Sequence, residues 1–135
     1  TLDPVACSIL IKSYGANTDK ATQVLKRWLD DASRGDELNE WPFNQMITIW
    51  ADSPRTDAFE QAQRIMRLME EDPKCRDAGL QPSDVTYCCL LKCLAASRVK
   101  DGSQKAVAIL DEMEVKGIKP SIITYNTIAF KKWLQ

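Results

Sequence analysis

The chain has 135 residues, of which 44% are hydrophobic and 27% charged, values typical of a folded protein and not of a disordered segment. Its formal net charge of −1 argues against indiscriminate binding of polyanions. No apolar run approaches the roughly 18 residues that a membrane helix needs, so the sequence predicts no membrane span.

Two helix pairs are predicted in the first half of the chain, where apolar residues recur at three- and four-residue steps. Residues 7–15 and 21–31 form the first pair, and residues 43–53 and 58–71 form the second. The second helix of each pair carries the same apolar stripe, made by Ala21, Val24, Leu25 and Trp28 and then by Ala62, Ile65, Met66 and Met69.

A third pair follows with clearer boundaries. Its first helix carries the apolar residues Val85, Tyr87, Leu90, Leu91 and Leu94. Asp101 and Gly102 break the pattern, and Ser103 is the predicted N-cap of the next helix. That helix has a stripe of Ala106, Ile109, Leu110 and Met113. Gly117 suits a left-handed cap at its end, and Pro120 cannot continue it.

The stretch "GLQPSDVTY" from Gly79 returns as "GIKPSIITY" from Gly117, 38 positions later. Self-similarity at such a period is typical of stacked repeats, because one helix pair cannot bury its apolar face alone. We therefore predict an all-α solenoid of stacked antiparallel helix pairs. The predicted units are 4–39, 40–83, 84–121 and an incomplete 122–135. The alternative is an irregular all-helical domain in which the repeat is accidental.

Two features of these units lead to further expectations. The second unit is longer than the third, and we assign most of its extra length to a long exit loop at residues 72–79. The last residues stop within a repeat and without a helix cap. We therefore expect the chain to be a fragment of a longer array.

The repeated unit resembles the pentatricopeptide repeat. The resemblance rests on "VTYCCLL", "AVAILDEMEVKGIKPS" and "ITYNTI", which begin at Val85, Ala106 and Ile123. The tetratricopeptide pattern fits worse, since it lacks the Gly-x-x-Pro exit and the Thr-Tyr-Asn start. The resemblance implies a right-handed superhelix whose first helices line a concave groove. It also implies single-stranded RNA as the partner, one base per repeat, in a mitochondrion or plastid.

The same resemblance implies specific site residues. The base-reading pairs are Ser8 with Asn39, Asn44 with Ser83, Cys88 with Ser121, and Asn126 without a partner. The base-stacking positions are Val5, Trp41, Val85 and Ile123. The phosphate-binding candidates are Lys12, Lys92 and Lys131. Cys88 departs from the family pattern, because a thiol is a poor hydrogen-bonding group where an amide or hydroxyl is expected.

Some of these residues have an ordinary structural alternative. Ser8 and Asn44 lie near helix starts, where such side chains often satisfy free backbone N–H groups. Trp28, Trp50 and Trp133 lie near or on the packing stripes and are predicted to be core residues. Trp41 enters a helix from a turn, and an indole there can stack on a base more strongly than valine.

The five cysteines Cys7, Cys75, Cys88, Cys89 and Cys93 form no C-x-x-C pair. Their odd number favours reduced thiols over a disulfide framework. Cys89 and Cys93 would share a helix face, but the chain has no histidine and no clear further ligand for a zinc site. We predict no metal and no cofactor, with the thiols packed as small hydrophobic groups.

Two functions from different classes remain. The first is an RNA-binding module for processing, stability or translation of organellar transcripts. The second is a scaffold that binds proteins or ribosomal RNA within a large organellar assembly such as a ribosome. The charge distribution favours the scaffold. Before Lys92 the chain has ten Lys/Arg and fifteen Asp/Glu, and from Lys92 on it has eight Lys/Arg and four Asp/Glu. An enzyme with a small-molecule substrate is not predicted, because histidine and a glycine-rich phosphate loop are both missing.

Overall fold

The computed structural model describes residues 3–32, 38–97 and 100–121, together with Thr124. These residues form helices and connections, and no strand occurs among them. The helices are α1 Pro4–Tyr14, α2 Thr18–Asp31, α3 Trp41–Asp52, α4 Ala58–Glu71, α5 Pro73–Asp77, α6 Asp84–Ala96 and α7 Gly102–Val115. None of them combines the length and the apolar composition that crossing a bilayer requires.

The helices stack as pairs. The first helices α1, α3 and α6 lie side by side, with α3 between the other two. Each second helix packs on its own first helix, and α2 and α4 also pack on the first helix of the following pair. The predicted all-α solenoid is confirmed. The pairs lie inside the predicted units 4–39, 40–83 and 84–121, whose limits stay a prediction, and of the unit 122–135 the structure describes Thr124 alone.

One hydrophobic core runs through the stack. Phe43, Met46 and Ile47 of the central helix α3 are completely buried. The Trp28 ring meets the Phe43 ring edge-on at a centroid distance of 6.1 Å, which joins the first pair to the second. Trp28 and Trp50 are core residues, as predicted. Trp133 lies outside the described residues.

The cysteines are packed into this core. Cys7, Cys75, Cys88 and Cys93 are buried, and Cys89 is half-buried. Burial raises the pKa of Cys7 to about 11 and that of Cys93 to about 12, because the thiolate loses its hydration. Within the part of the chain that the structure describes, no cluster of potential metal ligands forms.

The two glycine exits have the same backbone geometry. Gly79 has φ of 70° and Gly117 has φ of 74°, a region that residues with a Cβ rarely adopt. The N–H of Leu80 donates to the Cys75 carbonyl at 2.9 Å, and the N–H of Ile118 donates to the Met113 carbonyl at the same distance. These bonds satisfy carbonyls that a helix end leaves free. The 38-residue sequence repeat is therefore also a repeat of structure at the exits.

The structure corrects the prediction of a long exit loop at residues 72–79. Pro73–Asp77 form the short helix α5. Pro73 occupies the first turn, where its missing N–H costs nothing, and the Asp72 carboxylate accepts from the N–H of Lys74 at 2.8 Å. Proline favours the first turn of a helix, so Pro73 marks a helix start here.

The predicted N-cap of α7 is also wrong. The helix begins at Gly102, one residue before the predicted cap Ser103, and Asp101 precedes it in the left-handed region with φ of 63°. Aspartate tolerates this conformation better than most residues. The Asp101 carbonyl then accepts from the N–H of Lys105 at 3.0 Å and closes the first turn.

Candidate nucleic-acid interface

Each first helix begins with an exposed apolar side chain. Val5 in α1, Trp41 in α3 and Val85 in α6 retain 49%, 53% and 51% of their accessible surface. All three lie in the first turn of their helices, and these helices are neighbours in one layer. We call this row of helix starts the first-helix edge. The fourth predicted stacking position, Ile123, lies outside the described residues.

The predicted base-reading side chains lie one helical turn further along. Ser8, Asn44 and Cys88 each follow the apolar residue of the first-helix edge by three positions, which places both on one helix face. Ser8 is half-buried, whereas Asn44 retains 8% and Cys88 6% of its surface. Asn126 lies outside the described residues. The same apolar and small polar or thiol pair thus recurs in three adjacent helices.

Asn44 differs from Ser8 in how its side chain is used. The Ser8 hydroxyl donates to the Pro4 carbonyl at 2.8 Å, a local bond that differs from the expected satisfaction of a free backbone N–H. Asn44 lies inside α3, and its Oδ1 is buried without a hydrogen-bond partner among the described residues. A buried acceptor left unpaired costs about 1–3 kcal/mol.

The predicted last residues of the units form the entrances to the first helices. Asn39 Oδ1 accepts from the N–H of Trp41 at 2.9 Å. The N–H of Ser83 donates to Thr86 Oγ1 at 3.1 Å, and the N–H of Ser121 donates to Thr124 Oγ1 at 3.3 Å. Each of these residues is thereby held two positions before a predicted stacking residue.

Thr86 and Thr124 were missed as parts of this arrangement. Both are completely buried, and both fix the backbone of the serine three positions earlier. The repeated Thr-Tyr pair in the sequence was the available indication. It was interpreted only as the mark of a helix start.

Basic side chains near the first-helix edge are sparse. Lys12 and Lys92 are exposed, four positions after Ser8 and Cys88. In α3 the corresponding residue is Thr48, whose hydroxyl donates to the Asn44 carbonyl at 2.9 Å and contacts Cys89 Sγ at 3.5 Å. The central helix therefore has no cation at this level. Lys131 lies outside the described residues.

The arrangement defines an α-solenoid repeat protein with a row of similar helix starts. The family of the pentatricopeptide repeat domain matches residues 68–129. A mitochondrial pentatricopeptide repeat-containing protein of Arabidopsis thaliana is 30% identical over 121 residues, which cover 90% of this chain and 26% of that protein. The two matches support a pentatricopeptide repeat protein. The chain spans about a quarter of the length of this relative.

Proposed function

We propose that the chain binds single-stranded RNA along the first-helix edge, with one base at each helix start. The observation that supports this most is the recurrence of an exposed apolar residue and a small side chain one turn later, in three neighbouring helices. Apolar and aromatic side chains hold bases by stacking on their faces, and polar side chains read the base edges.

The central site gives the sharpest proposal. Trp41 is half-exposed and presents an indole on which a base can stack. Asn44 Oδ1 accepts a hydrogen bond from the amino or imino group of a pyrimidine, with Ser83 as its partner and cytosine preferred over uracil.

The other sites are assigned by the family's pairing pattern. Ser8 with Asn39 reads adenine, Cys88 with Ser121 has no preference, and Asn126 favours a pyrimidine. With the N-terminus of the chain toward the 5′ end of the RNA, the preferred order is adenine, pyrimidine, any base, pyrimidine. Lys12 and Lys92 contact phosphates.

The cellular role follows from the family and from the name of the mitochondrial relative. We propose that the protein acts in a mitochondrion on the processing, stability or translation of a transcript. Its part in this is binding and not catalysis.

A titration with RNA tests this function. The full-length protein is mixed with a single-stranded RNA carrying the preferred order and with the same RNA in a duplex. The single strand should bind more tightly, because bases must be unstacked to enter the sites. Lys92→Ala should weaken binding to all sequences alike and reduce the salt dependence of the affinity, with Lys26→Ala, exposed on α2, as its control.

A protein scaffold is the second candidate. It is favoured by the acidic balance before Lys92 and by Thr48 in the place of a basic residue. Absence of RNA binding even at low salt would support the scaffold and contradict the RNA-binding function.

A further inference from the structure

The second helix pair contains a six-residue insertion that the third pair lacks. The apolar stripes of α4 and α7 match at a spacing of 44, so that Met69 corresponds to Met113. The glycine exits match at a spacing of 38, so that Cys75 corresponds to Met113 as well. The extra residues therefore lie between Met69 and Cys75, and all three of these side chains are completely buried.

The insertion is part of the ordered structure. It turns the chain at Asp72, whose carboxylate caps α5, and places Cys75 in the core. The Cys75 carbonyl then accepts from the N–H of Leu80, as the Met113 carbonyl does from the N–H of Ile118. The insertion thus changes the end of the second helix while the exit toward α6 keeps its geometry.

Lys74 in α5 reaches the first helix pair. Its Nζ donates to the carbonyls of Leu29 and Asp30, each at 2.8 Å. These carbonyls belong to the last turn of α2, where backbone oxygens lack the usual partner four residues on, and that of Leu29 also accepts from the N–H of Ala32 at 3.3 Å. The last turn of α2 contains no basic residue and ends in Asp30 and Asp31, although a helix C-terminus favours a positive charge. Lys74 supplies that charge from the neighbouring unit.

Among the residues that the structure describes, the third pair has no such contact. At the exit spacing of 38 the residue that corresponds to Lys74 is Glu112, which carries the opposite charge. A carboxylate cannot donate hydrogen bonds to helix carbonyls. Within the described part of the chain, the contact therefore occurs at the junction between the first and second pairs and not at the next junction.

We propose that the insertion is a brace that fixes the first helix pair against the second through Lys74 and the C-terminus of α2. Since α2 packs on α3, the brace limits the movement of α1 and α2 relative to α3 and α4. On the proposed RNA-binding function, it also presets the separation between the sites at Val5 and Trp41. That consequence rests on the proposed function, whereas the brace does not.

Amide hydrogen exchange of the full-length protein tests the brace without RNA. Lys74→Met keeps much of the side chain's apolar length and removes its charge and donors. It should accelerate exchange in the last turn of α2 about 3- to 10-fold, the size expected for losing a cation at a helix end. Lys74→Arg should retain the protection. Lys26→Met, which removes an exposed charge from the same helix, should leave it unchanged.

The outcomes separate the brace from the RNA-binding function. Unchanged exchange in Lys74→Met would overturn the brace, and so would an equal acceleration in all helices or the same loss in Lys74→Arg. If the brace holds, Lys74→Met should also weaken binding of an RNA that fills the first two sites more than binding of one that fills the central site alone. If the parent protein does not bind RNA, the proposed function is contradicted, but the hydrogen-exchange result still decides whether the brace exists.

Discussion

Lys116 Nζ lies 2.7 Å from Glu70 Oε2 and ties the end of α7 to α4. The same ammonium group lies 5.6 Å from the centre of the Tyr87 ring, in α6. Burial lowers the pKa of Lys116, but the hydrogen bond that its ammonium group donates to Glu70 and its proximity to Tyr87 raise the pKa on balance above its ordinary value. One side chain thus connects three helices of the second and third pairs.

Breaking this ion pair should destabilise the protein modestly. Both side chains are about a third exposed, so solvent screens the pair and Glu70→Gln should cost about 0.5–1 kcal/mol in the free energy of unfolding. Because the folded pKa of Lys116 is raised, the contribution is complete below the unfolded pKa of about 10.4 and is lost only above it. Urea unfolding should give the same loss at any pH from about 6 to 9. Glu71→Gln, a change to the exposed neighbour, is the control, and an equal loss there would contradict the assignment.

The buried thiols should make the protein less stable at high pH. The pKa of Cys75 is raised to about 11, first by burial and then by Asp72, and burial raises that of Cys93 to about 12. In the unfolded chain these thiols ionise near their ordinary pKa of about 8.5, so alkaline pH favours unfolding. The free energy of unfolding should be constant up to about pH 8 and then fall by on the order of 1 kcal/mol for each such thiol per pH unit. Replacing Cys93 by Ala should reduce the slope, and an unchanged slope would count against its buried thiol.

Replacing the glycine at an exit should destabilise the protein through backbone strain and not through a steric clash. A Cβ on Gly117 would meet no atom within 4 Å, but its φ of 74° is strained for residues other than glycine. Gly117→Ala should therefore cost about 1–2 kcal/mol in thermal or urea unfolding. Gly102→Ala is the contrasting control, because Gly102 begins a helix and is not among the glycines of positive φ. It should be neutral or stabilising, and equal losses at both positions would refute the backbone explanation.

The two tryptophans of α3 should separate stability from binding. Trp50 retains 3% of its surface, and Trp50→Ala should cost about 3–5 kcal/mol of stability. Trp41 retains 53%, so Trp41→Ala should change stability by less than about 1 kcal/mol. The same change should weaken RNA binding by about 1–3 kcal/mol if a base stacks on the indole. Unaltered affinity would remove Trp41 from the proposed site.

The sequence predicts the helix pairs well because their apolar stripes and glycine exits are local patterns. Gly79 and Gly117 predict the left-handed backbone conformation that both adopt in the structure. Helix α5 was missed because five residues that begin with a proline are too few for periodicity to register.

The remaining features depend on long-range packing. Asn44 is buried because α1 and α6 flank α3, and its neighbours in the chain do not indicate this. Lys74 donates hydrogen bonds to the carbonyls of Leu29 and Asp30, which lie 45 and 44 positions earlier in the chain, and no local pattern could predict them. The base-reading and phosphate-binding assignments themselves stay predictions.

The central claim is that Asn44 reads a base, and one comparison tests it most directly. The affinity of full-length protein is measured for four RNAs that differ only in the base facing the central site, first for the parent and then for Asn44→Ala. Gln23→Ala, which removes an exposed amide from α2, is the matched control. The account predicts a preference for cytosine and then uracil in the parent and in the control. It predicts that Asn44→Ala loses about 1–3 kcal/mol for the preferred base and binds the four RNAs nearly equally. An Asn44→Ala protein with the affinity and base preference of the parent would contradict it.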